Sequence, residues 1–172
     1  MALLDSAEVQ ARARKIRCLF LDIDGVLTDG KLYIGPHGEE TKTNYVRDGL
    51  GIKMMLKAGL HVAVISGRPS EAMRNRLQWL GVTHIALDTE DKEPAYLRIC
   101  AALGVNDDEC AHMGDDVPDL PLMRRVGLAL SVADGHPRAL AAAHWVSQYR
   151  GGRGAVREAV DLILDAQQRS AS

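Results

Sequence analysis

Runs of any one kind are scarce in this sequence. No apolar stretch is long enough to cross a bilayer, which argues against a transmembrane protein. No cluster of Lys or Arg is long enough to neutralise a polyanion, and 21 basic residues against 23 acidic ones leave a formal charge of -2. A nucleic-acid or membrane-surface partner is therefore disfavoured, and small-molecule chemistry is the better expectation. Cysteine is scarce too: Cys18, Cys100 and Cys110 are an odd set without close-paired metal spacing, each in an apolar stretch, and they read as reduced, buried thiols. The N-terminus mixes Asp5, Glu8, Arg12, Arg14 and Lys15 with apolar residues, so it lacks the uninterrupted apolar region of a secretory signal and the cytoplasm is the expected compartment. Internal repeats and low complexity are absent, apart from a polar tail, 167–172, expected to fray.

What is present is the composition of an ordinary globular protein. A chain of 172 residues, 47% hydrophobic and 26% charged, predicts one domain over 1–172 with a sizeable core. Short apolar runs at 17–21, 62–65, 84–87, 111–113, 127–130 and 144–146 read as strands. Amphipathic stretches at 48–58, 69–80, 93–103, 118–125, 137–142 and 155–167 read as helices, several opened by Pro or closed by Gly. This alternation predicts an α/β domain, a doubly wound parallel sheet with right-handed crossovers and helices on both faces. One segment breaks the rhythm. Two short extended pieces, 31–34 and 39–43, flank the turn Gly35, Pro36, His37, Gly38, and predict a β-hairpin insertion after the first strand, over about 30–45. A lone hairpin is marginal unless something packs on it, so either it is a plain surface ribbon or another subunit covers it.

Asp22 and Asp24 end the first strand, two residues apart and hence on one face. Two neighbouring carboxylates repel unless a cation lies between them or one is protonated, so the pair suggests a hard-metal site or an acid beside a nucleophile. Taken alone, two acids and Gly25 after a strand also fit an ordinary turn. Ser66, Gly67 and Arg68 follow the second strand, and Gly114, Asp115 and Asp116 follow the fourth, with Asp119 one helical turn on. All three loops lie at C-terminal strand ends, where open parallel sheets bind ligands, and a strand order of 3-2-1-4-5-6 would bring them together beside Asp22.

Roles follow from chemistry. Asp22 would attack phosphorus and form an acyl phosphate that water cleaves. Asp24 would protonate the leaving oxygen and then activate that water. Magnesium, held by Asp22, Asp115 and the backbone carbonyl of Asp24, would neutralise charge at the phosphate, with Asp116 and Asp119 supporting the ligands. Ser66 and the Gly67 amide would grip phosphate oxygens. Lys92 could supply the balancing cation, or belong to a solvated charged face with Glu90, Asp91 and Glu93. Gly151 to Gly154 precede a helix whose first amides could bind an anion, or serve as a hinge. The six histidines show no ligand spacing, and core or surface roles suffice for them.

The set Asp22, Ile23, Asp24, Gly25, then Ser66, Lys92, Gly114, Asp115, Asp116 and Asp119 resembles the four motifs of the haloacid dehalogenase (HAD) phosphatases. DGVLTDG from Asp24, VRDGLGIK from Val46, SGR from Ser66 and GGRGAVRE from Gly151 narrow the resemblance to the 3-deoxy-D-manno-octulosonate 8-phosphate (KDO 8-phosphate) phosphatases, across nearly the whole chain. That resemblance implies a capless Rossmann-like HAD fold, magnesium, and hydrolysis of KDO 8-phosphate in lipopolysaccharide precursor biosynthesis. It also implies a homotetramer whose hairpins pack together and whose active sites are shared between subunits, with the C-terminal tail gating a neighbour's site. Substrate contacts are implied for Asp24, Tyr45, Val46, Arg47, Asp48, Gly49, Lys53, Gly67, Arg68, Arg76 and Lys92. Tyr45 departs from the family, which often has Asn before the Val, Arg, Asp, Gly run. Read without the resemblance, Arg47 and Asp48 fit the ion-pairing start of a helix and Arg76 a helix surface. Two rivals remain at this level: a nine-carbon acid sugar (sialic acid or KDN) 9-phosphate phosphatase, and a phosphoacceptor signalling domain, whose phospho-aspartate follows a later strand.

Overall fold

A computed structural model describes residues 6–168. It opens with a helix absent from the expectation, α1 (Ser6–Ala13), followed by β1 (Cys18–Leu21). The hairpin strands β2 (Tyr33–Ile34) and β3 (Glu40–Thr41) pair antiparallel. Then α2 (Val46–Lys57), β4 (His61–Ile65), α3 (Glu71–Leu80), β5 (His84–Ala86), α4 (Lys92–Leu103), β6 (Cys110–Met113), α5 (Leu120–Arg125), β7 (Leu128–Ser131), α6 (Pro137–Ala142), β8 (Trp145–Val146) and α7 (Ala155–Ala166) follow. The two Leu-Gly stop signals act as expected: Gly81 ends α3 and Gly104 ends α4, both at positive φ. Residues 1–5 and 169–172 lie outside the described range, so most of the expected fraying tail does too. Gln167 is tied down: its side-chain amide donates to Ala13 O at 3.0 Å and Ile16 O at 2.7 Å.

The main sheet has six strands in the order β5-β4-β1-β6-β7-β8. Without the hairpin this is the expected 3-2-1-4-5-6, and every neighbouring pair is parallel. Alternation divides β1 between two cores. Leu19 and Leu21 join Ile52, Met55, Leu77 and Ile163 beneath α2, α3 and α7. Cys18 and Phe20 join Tyr96, Ile99 and Leu122 beneath α4 and α5. Both faces of the sheet are thus covered, and β1 and β6 stay buried along their length, which fixes the carboxylates at their ends. Among the described residues, no helix is long and apolar enough to cross a membrane.

Candidate active site

β1 ends in a wide turn over 23–27, in which Gly25 adopts φ 90°. A Cβ there would collide with the Asp115 carboxylate, so glycine lets the two loops close on each other. Asp22, 7% exposed, accepts from the Lys92 ammonium, whose Nζ lies 2.8 Å from its Oδ1. The same Nζ lies 2.6 Å from Asp119 Oδ1. Lys92 is buried and belongs to this cluster, which decides against the solvated face. Asp119 is fully engaged: Oδ1 also faces His112 Nε2 at 2.9 Å, and Oδ2 accepts from the backbone amides of Asp115 and Asp116. His112, for which the sequence suggested only a core or surface role, therefore helps to orient the acid that orients Lys92. Asp116 caps the short turn Val117–Asp119 through Val117 N.

Asp22, Asp115 and Asp119 each bring a ligand oxygen within 4.8 Å of the others. Burial, then the charge of Asp119, push Asp22 up to about 6 against the pull of Lys92. Burial, then Asp22, Asp119 and Asp116, push Asp115 up to about 8. Asp119 moves the other way: its burial is outweighed by His112 and Lys92, which hold it well below the carboxylate range. Burial pulls the Lys92 ammonium down, but the charges of Asp22 and Asp119 hold it above the usual lysine value. With Asp119 saturated by donors, Asp22 and Asp115 are the carboxylates with oxygen to spare. A crowded all-oxygen donor set of this kind fits a hard divalent cation such as magnesium.

A pH dependence follows. A carboxyl whose folded pKa exceeds the unfolded value binds its proton more tightly in the native state, so its contribution to stability falls as pH rises between the two values. For Asp22 and Asp115 that window runs from the ordinary carboxyl value of 3.8 to about 6 and about 8. Magnesium competes with those protons, so the increase in melting temperature on adding it should be small at the acidic end and grow towards the upper end of the window. Thermal melts across that range, with magnesium or with a chelator, check this; a shift independent of pH would sink the two-carboxylate site.

Asp24 meets a residue that the sequence did not single out. Lys42, just beyond β3, places its Nζ 2.8 Å from Asp24 Oδ1 and 2.9 Å from Oδ2. Arg68 lies 3.9 Å from Asp24 Oδ2 and pairs with Glu40 of the hairpin at 2.7 Å. The hairpin is therefore anchored to the acid pair by its own charges. Ser66 is buried at the end of β4, its Oγ accepting from Arg68 N at 3.4 Å. At Gly67 an added Cβ would meet only Thr89 O, at 3.9 Å, so nothing in the fold requires glycine there. Gly67→Ala should leave stability within about 0.5 kcal/mol while raising KM for a phosphate ester, roughly tenfold. Melting and steady-state kinetics test the pair, and an unchanged KM removes Gly67 from the phosphate site.

The remaining expected contacts fall into two further groups, with no hydrogen bond or ion pair to the carboxylate cluster among the described residues. Lys53 Nζ lies 3.7 Å above the Trp79 ring and the Arg76 guanidinium 4.8 Å from it, while Gly49 backs onto Arg76. Tyr45 and Arg47 line a cavity of about 360 Å³ with Tyr149, Arg153 and Arg157, and Val46 projects outward, 76% exposed. Asp48 is buried, and both its oxygens accept from the start of α7, Gly154 N at 3.1 Å and Arg157 N at 2.9 Å. The anion at that helix terminus is thus the chain's own. Gly151 and Gly152 pack against the backbone of Gly25, Thr28 and Asp29, with no room for a side chain.

Comparison with known proteins places this geometry in context. Residues 82–159 match the model of the haloacid dehalogenase-like hydrolases. The chain is 45% identical over 162 residues to 3-deoxy-D-manno-octulosonate 8-phosphate phosphatase of Yersinia pestis, covering 94% of this chain and 87% of that protein. The crystal structure of the Y. pestis phosphatase superposes with a TM-score of 0.93 at 43% identity, covering 98% of this chain and 94% of that one. The Moraxella catarrhalis phosphatase, solved with magnesium, phosphate and KDO, superposes with a TM-score of 0.93 at 37% identity, covering 95% and 94%.

Proposed function

This chain belongs to the 3-deoxy-D-manno-octulosonate 8-phosphate phosphatases, within the haloacid dehalogenase-like hydrolases, and from that premise we infer that it hydrolyses KDO 8-phosphate to KDO and phosphate with magnesium as cofactor. The observation that carries the reading is the buried Asp22–Lys92–Asp119 cluster beside Asp115, on the strand edge where the sheet order reverses. The relatives are named for the eight-carbon acid sugar phosphate rather than a nine-carbon one. The acid pair follows β1, unlike the later strand of a phosphoacceptor domain.

Lys92 holds Asp22 by one oxygen, leaving the other to attack phosphorus as the bond to the sugar oxygen breaks. Asp24, steered by Lys42, gives its proton to that sugar oxygen and then takes one from the water that cleaves the acyl phosphate. Ser66 Oγ and the Gly67 amide grip phosphate oxygens. Asp22, Asp115 and the Asp24 carbonyl would hold magnesium, which would supply positive charge against the phosphate. Arg68, Arg76, Lys53 and the segment Tyr45, Val46, Arg47, Asp48, Gly49 make up the substrate's surroundings. An exposed apolar pair, Tyr33 at 57% and Ile34 at 67%, sits on the hairpin. That exposed pair supports a homotetramer with shared active sites, and kinship with the KDO 8-phosphate phosphatases supports action in the cytoplasm in lipopolysaccharide precursor synthesis.

A screen over sugar phosphates, with and without magnesium, tests the assignment. Preference for KDO 8-phosphate and loss of turnover on chelation are expected. Faster turnover of a nine-carbon acid sugar 9-phosphate, or of a neutral sugar phosphate, overturns the substrate. Light scattering in solution tests the tetramer.

A further inference from the structure

The thiols take no part in the chemistry above, yet two of them touch. Cys100, in the last turn of α4, and Cys110, the first residue of β6, have their sulfurs 3.7 Å apart. Cys100 retains 7% exposure, whereas Cys110 and Cys18 have none. The pair is flanked by Tyr96, whose hydroxyl donates to Asp107 at 2.8 Å, and by Arg125, whose Nε donates to the same carboxylate oxygen at 3.1 Å. Between the two cysteines the chain turns through Gly104, at φ 62°, and the short turn Asp107–Glu109.

We propose that Cys100 and Cys110 form a reversible oxidation site, at which a hydroperoxide oxidises Cys100 and Cys110 resolves it as a disulfide, while Cys18 stays reduced. The Cys100 sulfur, as its thiolate, attacks one peroxide oxygen. The O–O bond breaks, the other oxygen leaves as hydroxide or alkoxide and takes up the thiol's proton, and Cys100 becomes a sulfenic acid. The Cys110 sulfur then attacks the Cys100 sulfur, its proton leaves with the sulfenic oxygen as water, and the S–S bond forms. Two thiols are oxidised and one peroxide is reduced, so the balance closes.

The local arrangement gives the two sulfurs different parts. The hydrogen bond from Cys110 lowers the Cys100 thiol below its ordinary value, against burial and with help from Tyr96. The same bond, with burial, raises Cys110, and burial raises Cys18. The cysteine that retains exposure is therefore also the one that most readily carries negative charge, as the attacking partner requires. A disulfide needs the sulfurs at about 2.05 Å, an approach of roughly 1.6 Å, which side-chain rotation and the short 104–109 turn can absorb. The bridge would clamp α4 to β6 at the strand end opposite Asp115, so turnover should be unchanged by it. Its consequence is protective: a sulfenic acid captured by a neighbouring thiol does not proceed to the irreversible sulfinic acid.

The test uses the full chain, hydrogen peroxide as probe, then denaturation, alkylation and trypsin. Cys100 and Cys110 share the tryptic peptide 99–124, and Cys18 lies in 18–31. The first peptide should become lighter by two hydrogen atoms, resist alkylation and revert with dithiothreitol, while the second is fully alkylated. In Cys110→Ser the Cys100 sulfur should instead advance to an oxidation state that dithiothreitol does not reverse. Unreacted thiols in the native protein, oxygen accumulating on Cys100 while Cys110 is intact, or a bridge through Cys18 in either protein would overturn the proposal.

Discussion

Asp22→Asn should abolish magnesium-dependent phosphate release, by roughly 10⁴-fold or more in kcat, while the protein stays folded. An amide cannot form the acyl phosphate, yet its oxygen can still accept from Lys92 as Asp22 Oδ1 does at 2.8 Å. The stability side is as informative. Asp22 is pushed up to about 6 by burial and by Asp119, so holding its ionised form at neutral pH costs stability. The neutral amide removes that cost, and the metal-free variant should melt no lower than the parent, with the gap in its favour widening as pH rises from 4 to about 6. Magnesium should stabilise the variant less, because a ligand has been lost. Turnover retained within tenfold would remove Asp22 as nucleophile, and a collapse of the melting temperature would mean that the loss of activity says nothing about chemistry.

Much of this site was legible because parallel sheets impose regularities that sequence periodicity exposes. Short apolar runs located the strands, and their alternation with amphipathic stretches pointed to a doubly wound sheet. Period-two alternation does not reach the acid pair, because β1 ends at Leu21 and Asp24 lies in the turn 23–27. A strand order of 3-2-1-4-5-6 gathers Asp22, Ser66 and Asp115 at one edge, whereas Lys92 fits that edge or a solvated charged face equally well in the sequence, and its burial beside Asp22 decides. The residues missed are those whose role depends on contacts across long sequence separations. Lys42 lies on a hairpin whose direction no local pattern encodes, and only its fold-back onto Asp24 reveals it. His112 looks like any buried strand residue until Asp119 is seen 2.9 Å away. Asp48 and α7 are separated by more than a hundred residues, so a carboxylate that caps the helix reads from the sequence as the start of its own. The missed helix α1 has another cause: it is only 8 residues long and buries only Val9 and Ala13, so it carries too little apolar periodicity to read as a helix despite its good helix formers.

Lys92→Met should be the more damaging change to the protein as a whole. Among the described residues Lys92 is the one cation that contacts both Asp22 and Asp119, at 2.8 and 2.6 Å, and all three side chains are buried. Removing one partner from a buried ionic cluster commonly costs about 3–5 kcal/mol, because the remaining charge has lost its compensation. Asp119 keeps His112 and two backbone amides, so the burden falls on Asp22 and Asp115. Both are already pushed upward, and without the ammonium their affinity for protons rises further, so they are neutral at low pH and repel at high pH. The melting temperature should therefore fall only modestly near pH 5 and steeply near pH 8, the reverse of the pH trend expected for Asp22→Asn. Magnesium should restore part of the lost stability by supplying charge to the carboxylates. It should not restore turnover, expected to drop about 10³-fold, because nothing then aims the free oxygen of Asp22 at phosphorus. Melts at both pH values, with and without magnesium, and kcat under saturating metal separate these effects. If magnesium rescues kcat along with stability, Lys92 is a structural counter-ion only, and the aiming of Asp22 must come from the metal site.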